Sequence, residues 1–489
     1  MRGLLVYVPY LFALSYAHDP HTSYWISWLG SWYILFITLT GIALKKPTDL
    51  PFLSQFFRPY IFTQLHFAGY NCLTSPFYYF DMNGYFFFDK ITSDMTTIDA
   101  DLIANCQRYY LLAHTVYTHG IILMTSGQYD KIQIKNKINI DTLLLLKILV
   151  GAFVISYLFG FLGSFSAIRG NIANISFMAI SLAVLFSLQE KKYFTISISL
   201  FLVSFVVAVT SGSKSSIIVS ILFLLLNLSA KYKKTSFVLG LCSIVLFSYI
   251  PTLTTNMRKA TWHGAQGSAW EAIKLTYEEA ISEEEATKLK IKKDNWQFLI
   301  NRVSEIAAFT LYTQHVPKKR DFYGMEIIQN GFMGLIPYQL RTDGLSIDKT
   351  AMERAYEAGA LDRFIGEGGT SAKPATVADM YMIGGEKAII FFGMLYGLLA
   401  GFFARKCEEY FGGYTSGCVL VYNSCFTIFW SGSCTENMFS AIFYGIISLF
   451  ILYYLAKRFI FVKEADEIAE DANQYKAKTK QKPQTIYPQ

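Results

Sequence analysis

The chain has 489 residues, of which 53% are hydrophobic, 17% aromatic and only 16% charged. Its mean hydropathy is +0.32. An ordinary soluble protein carries about a quarter charged residues, so a disordered, collagenous or coiled-coil chain is excluded and a string of soluble domains does not fit. The formal net charge of +7, from 43 Lys+Arg against 36 Asp+Glu, is small for this length and scattered in short clusters, which argues against a nucleic acid partner. A polytopic membrane protein fits the composition. Seven cysteines, odd in number and without a C-x-x-C pair, read as core thiols rather than a disulfide frame or a metal site. No metal and no cofactor is expected.

Runs of about 20 apolar residues, the length that crosses a bilayer, fall near 3–17, 24–44, 52–79, 102–127, 141–163, 171–189, 193–210, 214–230, 235–252, 387–404, 413–430 and 437–456. Lys45-Lys46, Lys131/Lys135/Lys137, Lys191-Lys192, Lys231/Lys233/Lys234, Arg405-Lys406 and Lys457-Arg458 stand at every second junction. Cytoplasmic loops retain Lys and Arg, so about twelve spans with both termini in the cytoplasm place all six clusters on one side. The expected organisation is a transmembrane part over 1–252 with nine helices, an extracytoplasmic (periplasmic) domain over 253–386, three further helices over 387–456, and a charged, disordered cytoplasmic tail over 457–489. The long insertion reads as helical from Trp270 to about Val316, then as short helices or an irregular lid from Gly331 to Gly369. The expected fold is therefore all-α.

Two external helix starts carry cations. The sixth span opens with Arg169-Gly170-Asn171 and the eighth with Ser211-Gly212-Ser213-Lys214. A helix N-terminus offers unpaired N–H groups and a partial positive charge, so Arg169, Ser213 and Lys214 are candidate ligands for a lipid-linked phosphate; an ordinary N-cap at Ser213 and snorkelling cations are the competing account. Arg258, just past the ninth span, adds a third external cation. Arg302 stands three residues before Glu305 and is either a helix-surface partner of that carboxylate or a site residue. The insertion ends in Lys373-Pro374-Ala-Thr376-Val-Ala-Asp379-Met-Tyr-Met-Ile-Gly384-Gly385. That pattern predicts a short helix on the membrane, a break at the glycine pair, and Asp379 near the outer surface as a candidate base or first-turn acid. The sequence holds no phosphate loop of the G-x-x-x-x-G-K type, no H-E-x-x-H and no G-x-S-x-G elbow, which disfavours an ATP-driven pump, a zinc protease and an α/β-hydrolase.

The Ser-Gly-Ser-Lys turn opening a span, the Arg in the preceding external loop, the single large loop, the Ile336-Pro337 step and the run from Lys373-Pro374 to Gly385 together resemble the Wzy-type O-antigen and oligosaccharide repeat-unit polymerases. The resemblance covers about Asp141 to Phe450. Such polymerases commonly carry Arg where this chain has Lys214, which keeps the charge without the two-pronged donor. The resemblance implies a C-type glycosyltransferase-like architecture in the bacterial inner membrane. It implies transfer of a growing glycan from undecaprenyl pyrophosphate to a lipid-linked repeat unit, with no nucleotide sugar. Arg169, Ser213, Lys214, Arg258 and Lys373 would then bind pyrophosphate and glycan, and Asp379 and Arg302 would be catalytic. The implied partners are the undecaprenyl-pyrophosphate-linked oligosaccharide, membrane lipids and a chain-length regulator protein. An O-antigen ligase-like glycosyltransferase and a lipid-linked oligosaccharide flippase are the rival expectations.

Overall fold

The computed structural model describes residues 2–45, 47–83, 97–125, 132–160, 166–210, 214–247, 249–261, 268–282, 284–298, 300, 305–337, 340, 347–363 and 373–462. Among them every regular element is a helix. Four helices are long and apolar enough to cross a membrane: Thr142–Phe159, Ala167–Glu190, Thr376–Tyr410 and Thr435–Phe459. The Lys233–Val245 and Ile250–Met257 pieces make a fifth if their 56° bend lies within one span. Outward-facing Phe153, Val203, Val207, Phe237, Ile244 and Phe450 are all exposed. So broad an apolar surface is stable only against lipid or another apolar partner.

The centre of the bundle is the crossing of the Thr97–Thr125 helix with the Thr376–Tyr410 helix. Gly393, Gly397 and Gly401 recur every fourth residue and so share one face of the latter. A Cβ at Gly397 would stand 2.1 Å from the Tyr117 carbonyl oxygen, and one at Gly120 would stand 2.6 Å from the Met394 carbonyl oxygen. The two backbones therefore touch, as small residues allow in membrane helix pairs. Gly397→Leu should force them apart and abolish the monodisperse detergent-solubilised species on size-exclusion chromatography. Gly397→Ala, which meets rigid backbone, should cost about 1–3 kcal/mol.

Two of the apolar runs that read as continuous spans are broken. The region 52–79 contains Phe52–Gln55, Pro59–Phe67, a π-helical turn over Ala68–Leu73 and Pro76–Met82. Pro59 and Pro76 each sit at a helix start, because proline has no N–H for the preceding turn to accept. The region 413–430 divides into Tyr414–Tyr422, Asn423–Cys425 and Ile428–Ser431. Irregular backbone at membrane depth must be satisfied inside the protein, and the two broken segments satisfy each other. The Phe57 N–H donates to Tyr414 Oη at 3.1 Å, and Asn423 Nδ2 donates to the Phe57 carbonyl at 3.3 Å. Around this core, Asn227 Nδ2 donates to Ser181 Oγ at 2.9 Å and Asn171 Nδ2 to Ser448 Oγ at 3.1 Å, fixing the level of neighbouring helices.

The 269–315 region, which the sequence reads as one helix, is three: Ala269–Ile281, Glu285–Phe298 and Ile306–His315. Ser268 and Glu271 form a reciprocal cap at the first of these. Within Thr376–Tyr410 the helix is interrupted at Gly384-Gly385, where Gly385 adopts φ 64°, a conformation that favours glycine. The break releases two carbonyls, and both are used: Met382 and Ile383 accept from the Tyr323 and Gly324 N–H groups at 3.0 Å each.

Candidate functional site

The Thr376–Tyr410 helix carries a buried ion cluster near each end. At the Tyr410 end, Arg58 Nη2 donates to Glu408 Oε1 at 2.9 Å and Arg58 Nη1 to Asp49 Oδ1 at 2.7 Å, with Arg58 itself 1% exposed. This is also the end where basic clusters meet: the Lys135 N–H bonds the Glu409 carbonyl, Lys135 Nζ pairs with Glu409 Oε1 at 2.8 Å, and the Val462 N–H bonds the Lys137 carbonyl.

At the Thr376 end, Arg354 from the Ile347–Glu357 helix spans two carboxylates. Its Nη1 and Nη2 donate to Glu436 Oε1 and Oε2 at 2.6 and 2.8 Å, and Nη2 also donates to Asp379 Oδ1 at 2.8 Å. The Thr435 N–H donates to Asp379 Oδ2 at 2.6 Å. Asp379 and Glu436 are 0% exposed and Arg354 is 3% exposed. Burial of charge on this scale is stable only when the charges are paired and hydrogen-bonded. Asp379 is therefore enclosed by protein, with both oxygens engaged.

One helical turn before Asp379, Thr376 lines a cleft of about 700 Å³, within the range of small-molecule and cofactor sites. Its wall is shared by Tyr70, Tyr78, Glu305, Tyr312, Lys373 and Ser433. Thr376 Oγ1 donates to the Ser433 carbonyl at 2.9 Å and accepts from the Ser433 N–H at 2.8 Å. That reciprocal pair pins the cleft wall to the segment that carries Thr435 and Glu436. Glu305, at the start of the Ile306–His315 helix, accepts from Tyr70 Oη. Lys373 pairs with Asp348 at 2.6 Å. The cleft thus combines phenol rings, hydroxyls, a carboxylate and a cation above the buried Arg354 cluster. A second cavity of about 240 Å³, between Asn174, Phe177, Val219, Phe223 and Trp430, shares Ser431 with the cleft.

Of the residues singled out from sequence, Lys373 lines this cleft and Asp379 stands directly behind it. Arg169 is exposed in the first turn of the Ser166–Glu190 helix and does not line the cleft. Lys214 begins the Lys214–Ser229 helix and Arg258 lies in Ile250–Thr261, but their side chains fall outside the described residues, as do Ser213 and Arg302 altogether. Asn227 bonds Ser181, and Phe177 and Phe223, four residues earlier on each helix, line the same smaller cavity; the shared offset of 46 positions means that these two helices run parallel and that Arg169 stands level with the start at Lys214. Tyr381, two residues past Asp379, packs against Tyr109, with ring centroids 4.9 Å apart. The sequence pattern marks neither Arg354 nor, beyond its spacing from Arg302, Glu305. The available signal for Arg354 was its place on the face shared by Ala351 and Ala355, all three buried.

Beside the Gly384-Gly385 break, Arg320 donates to Glu357 at 2.6 Å and stacks on the Tyr323 ring at 3.9 Å, while Tyr323 Oη donates to Glu357 at 2.6 Å. Burial pushes the Glu357 carboxyl up, but the bonds from Tyr323 and Arg320 outweigh it and hold it below its ordinary value of 4.5. A depressed carboxyl adds stability above its unfolded pKa and loses it as pH falls through the folded one. Acidification below 4.5 should therefore lower the protection factors of the Tyr323 and Gly324 amides, measured against the intrinsic exchange rate at each pH. Glu357→Gln should remove that pH dependence.

Residues 8–464 match the family model described as a domain of unknown function, DUF8712. The chain belongs to this family. No curated protein and no solved structure matches it. The match runs from the first helices through the Thr435–Phe459 helix, so both ion clusters and the cleft lie inside the family's domain.

Proposed function

We propose that this member of the family is a lipid-carrier-dependent glycosyltransferase. In this reading it is a polysaccharide polymerase that moves a growing O-antigen or exopolysaccharide chain from undecaprenyl pyrophosphate onto a lipid-linked repeat unit at the outer face of a bacterial inner membrane. Twelve spans, broken ones included, with both termini in the cytoplasm, complete the proposed layout. The observation that carries the reading is the cleft over the Arg354 cluster. It lies at the end of the Thr376–Tyr410 helix opposite the basic Lys135–Glu409 junction, and the positive-inside rule supports reading that end as the one outside the cytoplasm. Its lining of tyrosines, hydroxyls and a carboxylate suits sugar rings, which stack on aromatic faces and exchange many neutral hydrogen bonds.

The chemistry needs two things. The acceptor hydroxyl attacks the anomeric carbon of the donor, the bond from that carbon to the pyrophosphate oxygen breaks, and the pyrophosphate leaves with its electron pair. Glu305 is placed in the cleft to take the acceptor proton, a general-base role. The leaving charge calls for cations: Lys373 in the cleft, and Arg169, Lys214 and Arg258 on helices packed together through Ser181–Asn227 and through the shared burial of Ile217 and Ile250. The smaller, mostly apolar cavity next to Ser431 offers the carrier tail a place beside the head group.

Deletion of the gene tests the reading. Surface and carrier-linked glycans resolved on a gel should lose their ladder while a single repeat unit still reaches its acceptor. Full-length glycan stranded on the carrier would identify a ligase instead, and an unchanged ladder would reject both.

A further inference from the structure

We propose that residues 325–336 form a wedge immersed in one leaflet of the bilayer, with lipid acyl chains as its partner. The Met325–Met333 helix and the turn after it lie along the Thr435–Phe459 helix. A Cβ at Gly331 would meet the Phe439 ring at 2.8 Å, and the Leu335 carbonyl accepts from Tyr444 Oη at 3.1 Å. Those two contacts descend the spanning helix toward its basic end, Lys457-Arg458.

The depth follows from the helix rise. Residues 444 to 457 span about 20 Å, so with Lys457 at one face of a hydrocarbon layer about 30 Å thick, Tyr444 lies about 10 Å inside the other face. Leu335 lies with it. At that depth a carbonyl without a partner is costly, and the Tyr444 hydroxyl supplies one. Met325 and Phe332, seven residues apart, point to one side of the helix by its 3.6-residue turn; Phe332 is 59% exposed, and Ile336 in the turn after the helix is exposed as well. The exposed strip continues into Phe443, which faces outward on the spanning helix. The apolar strip is therefore an extension of the lipid-facing surface, while Glu326, held by Arg320 at 2.8 Å, marks where the wedge leaves the hydrocarbon.

The wedge also touches the machinery of the site. Gly334 packs beneath Ile347, with 3.0 Å between a built Cβ and the Ile347 Cδ1, and Ile347 begins the helix that carries Arg354. Lipid packing around residues 332–336 thus bears on the ion cluster behind the cleft.

This inference rests on the membrane reading, and its test separates the two. In a Cys242→Ser background, where the one exposed cysteine among the described residues is gone, Phe332→Cys, Ile336→Cys, Phe450→Cys and Lys319→Cys are treated in native membranes with a sulfonated, water-soluble maleimide and with a lipid-soluble pyrene maleimide. Thiolates form only where water reaches, so the thiols introduced at positions 332 and 336 are expected to react at least about tenfold more slowly than the one at position 319 with the soluble reagent. With the lipid-soluble one they should react at the same rate as position 450, the lipid-facing reference, which the same shortage of thiolate slows. Fast soluble labelling at 332 with 450 still protected would overturn the wedge alone. Fast soluble labelling at 450 as well would overturn the membrane reading and the wedge together. Protection of 332 from both reagents while 450 reacts with the lipid-soluble one would mean that protein, not lipid, covers it, and would also overturn the proposal.

Discussion

Arg354→Ala is expected to remove the folded protein from the membrane fraction, at a cost of about 3–5 kcal/mol. The substitution leaves Asp379 and Glu436, both 0% exposed, facing each other without the guanidinium that bonds them. Arg354→Lys keeps the charge but presents a single ammonium, which cannot reproduce three directed bonds to two carboxylates, so it should fall between wild type and Ala. The triple variant Arg354→Met, Asp379→Asn, Glu436→Gln should recover much of the loss, because replacing a buried ionic cluster costs less than orphaning part of it. Thermal unfolding in detergent, followed by fluorescence-detected size exclusion, ranks the four proteins. Equal stability of Arg354→Ala and wild type would contradict the buried-cluster account.

Glu305→Gln is expected to act on turnover and leave the fold intact. The amide keeps an oxygen that accepts from Tyr70 Oη, and the residue caps no helix through its side chain. A general base contributes typically 10²–10⁴-fold, so glycan polymerisation should fall by about that factor at unchanged protein abundance. Tyr70→Phe removes only the phenol that orients the carboxylate and should cost less. Full activity of Glu305→Gln would remove the cleft carboxylate from the mechanism.

The parts of this protein that could be read from sequence are those set by local chemistry. An apolar run in lipid must satisfy its own backbone, which favours helix, so the helices of 142–160, 166–190 and 435–459 are legible, and the Gly384-Gly385 break follows from two residues with little helix propensity. The breaks in 52–79 and 413–430 were masked because average hydropathy ignores where a proline or glycine falls, although Pro59 and Pro76 stood in plain view. The Arg354 cluster was not legible because its meaning depends on partners 25 and 82 positions away. In isolation Ala351-Met-Glu-Arg354-Ala-Tyr-Glu reads as a solvated helix. The same holds for Arg58, whose carboxylate partner Glu408 is 350 positions away. Asp379 was noticed for its type and place near a helix start, but its depth was set by tertiary packing alone.

The most direct test is reconstitution of the purified protein in liposomes with undecaprenyl-pyrophosphate-linked repeat units and no nucleotide sugar, with the products separated by length. The account predicts a ladder of carrier-linked oligomers and release of free undecaprenyl pyrophosphate, both lost in Glu305→Gln. Unextended single repeat units after incubation with folded wild-type protein would contradict it.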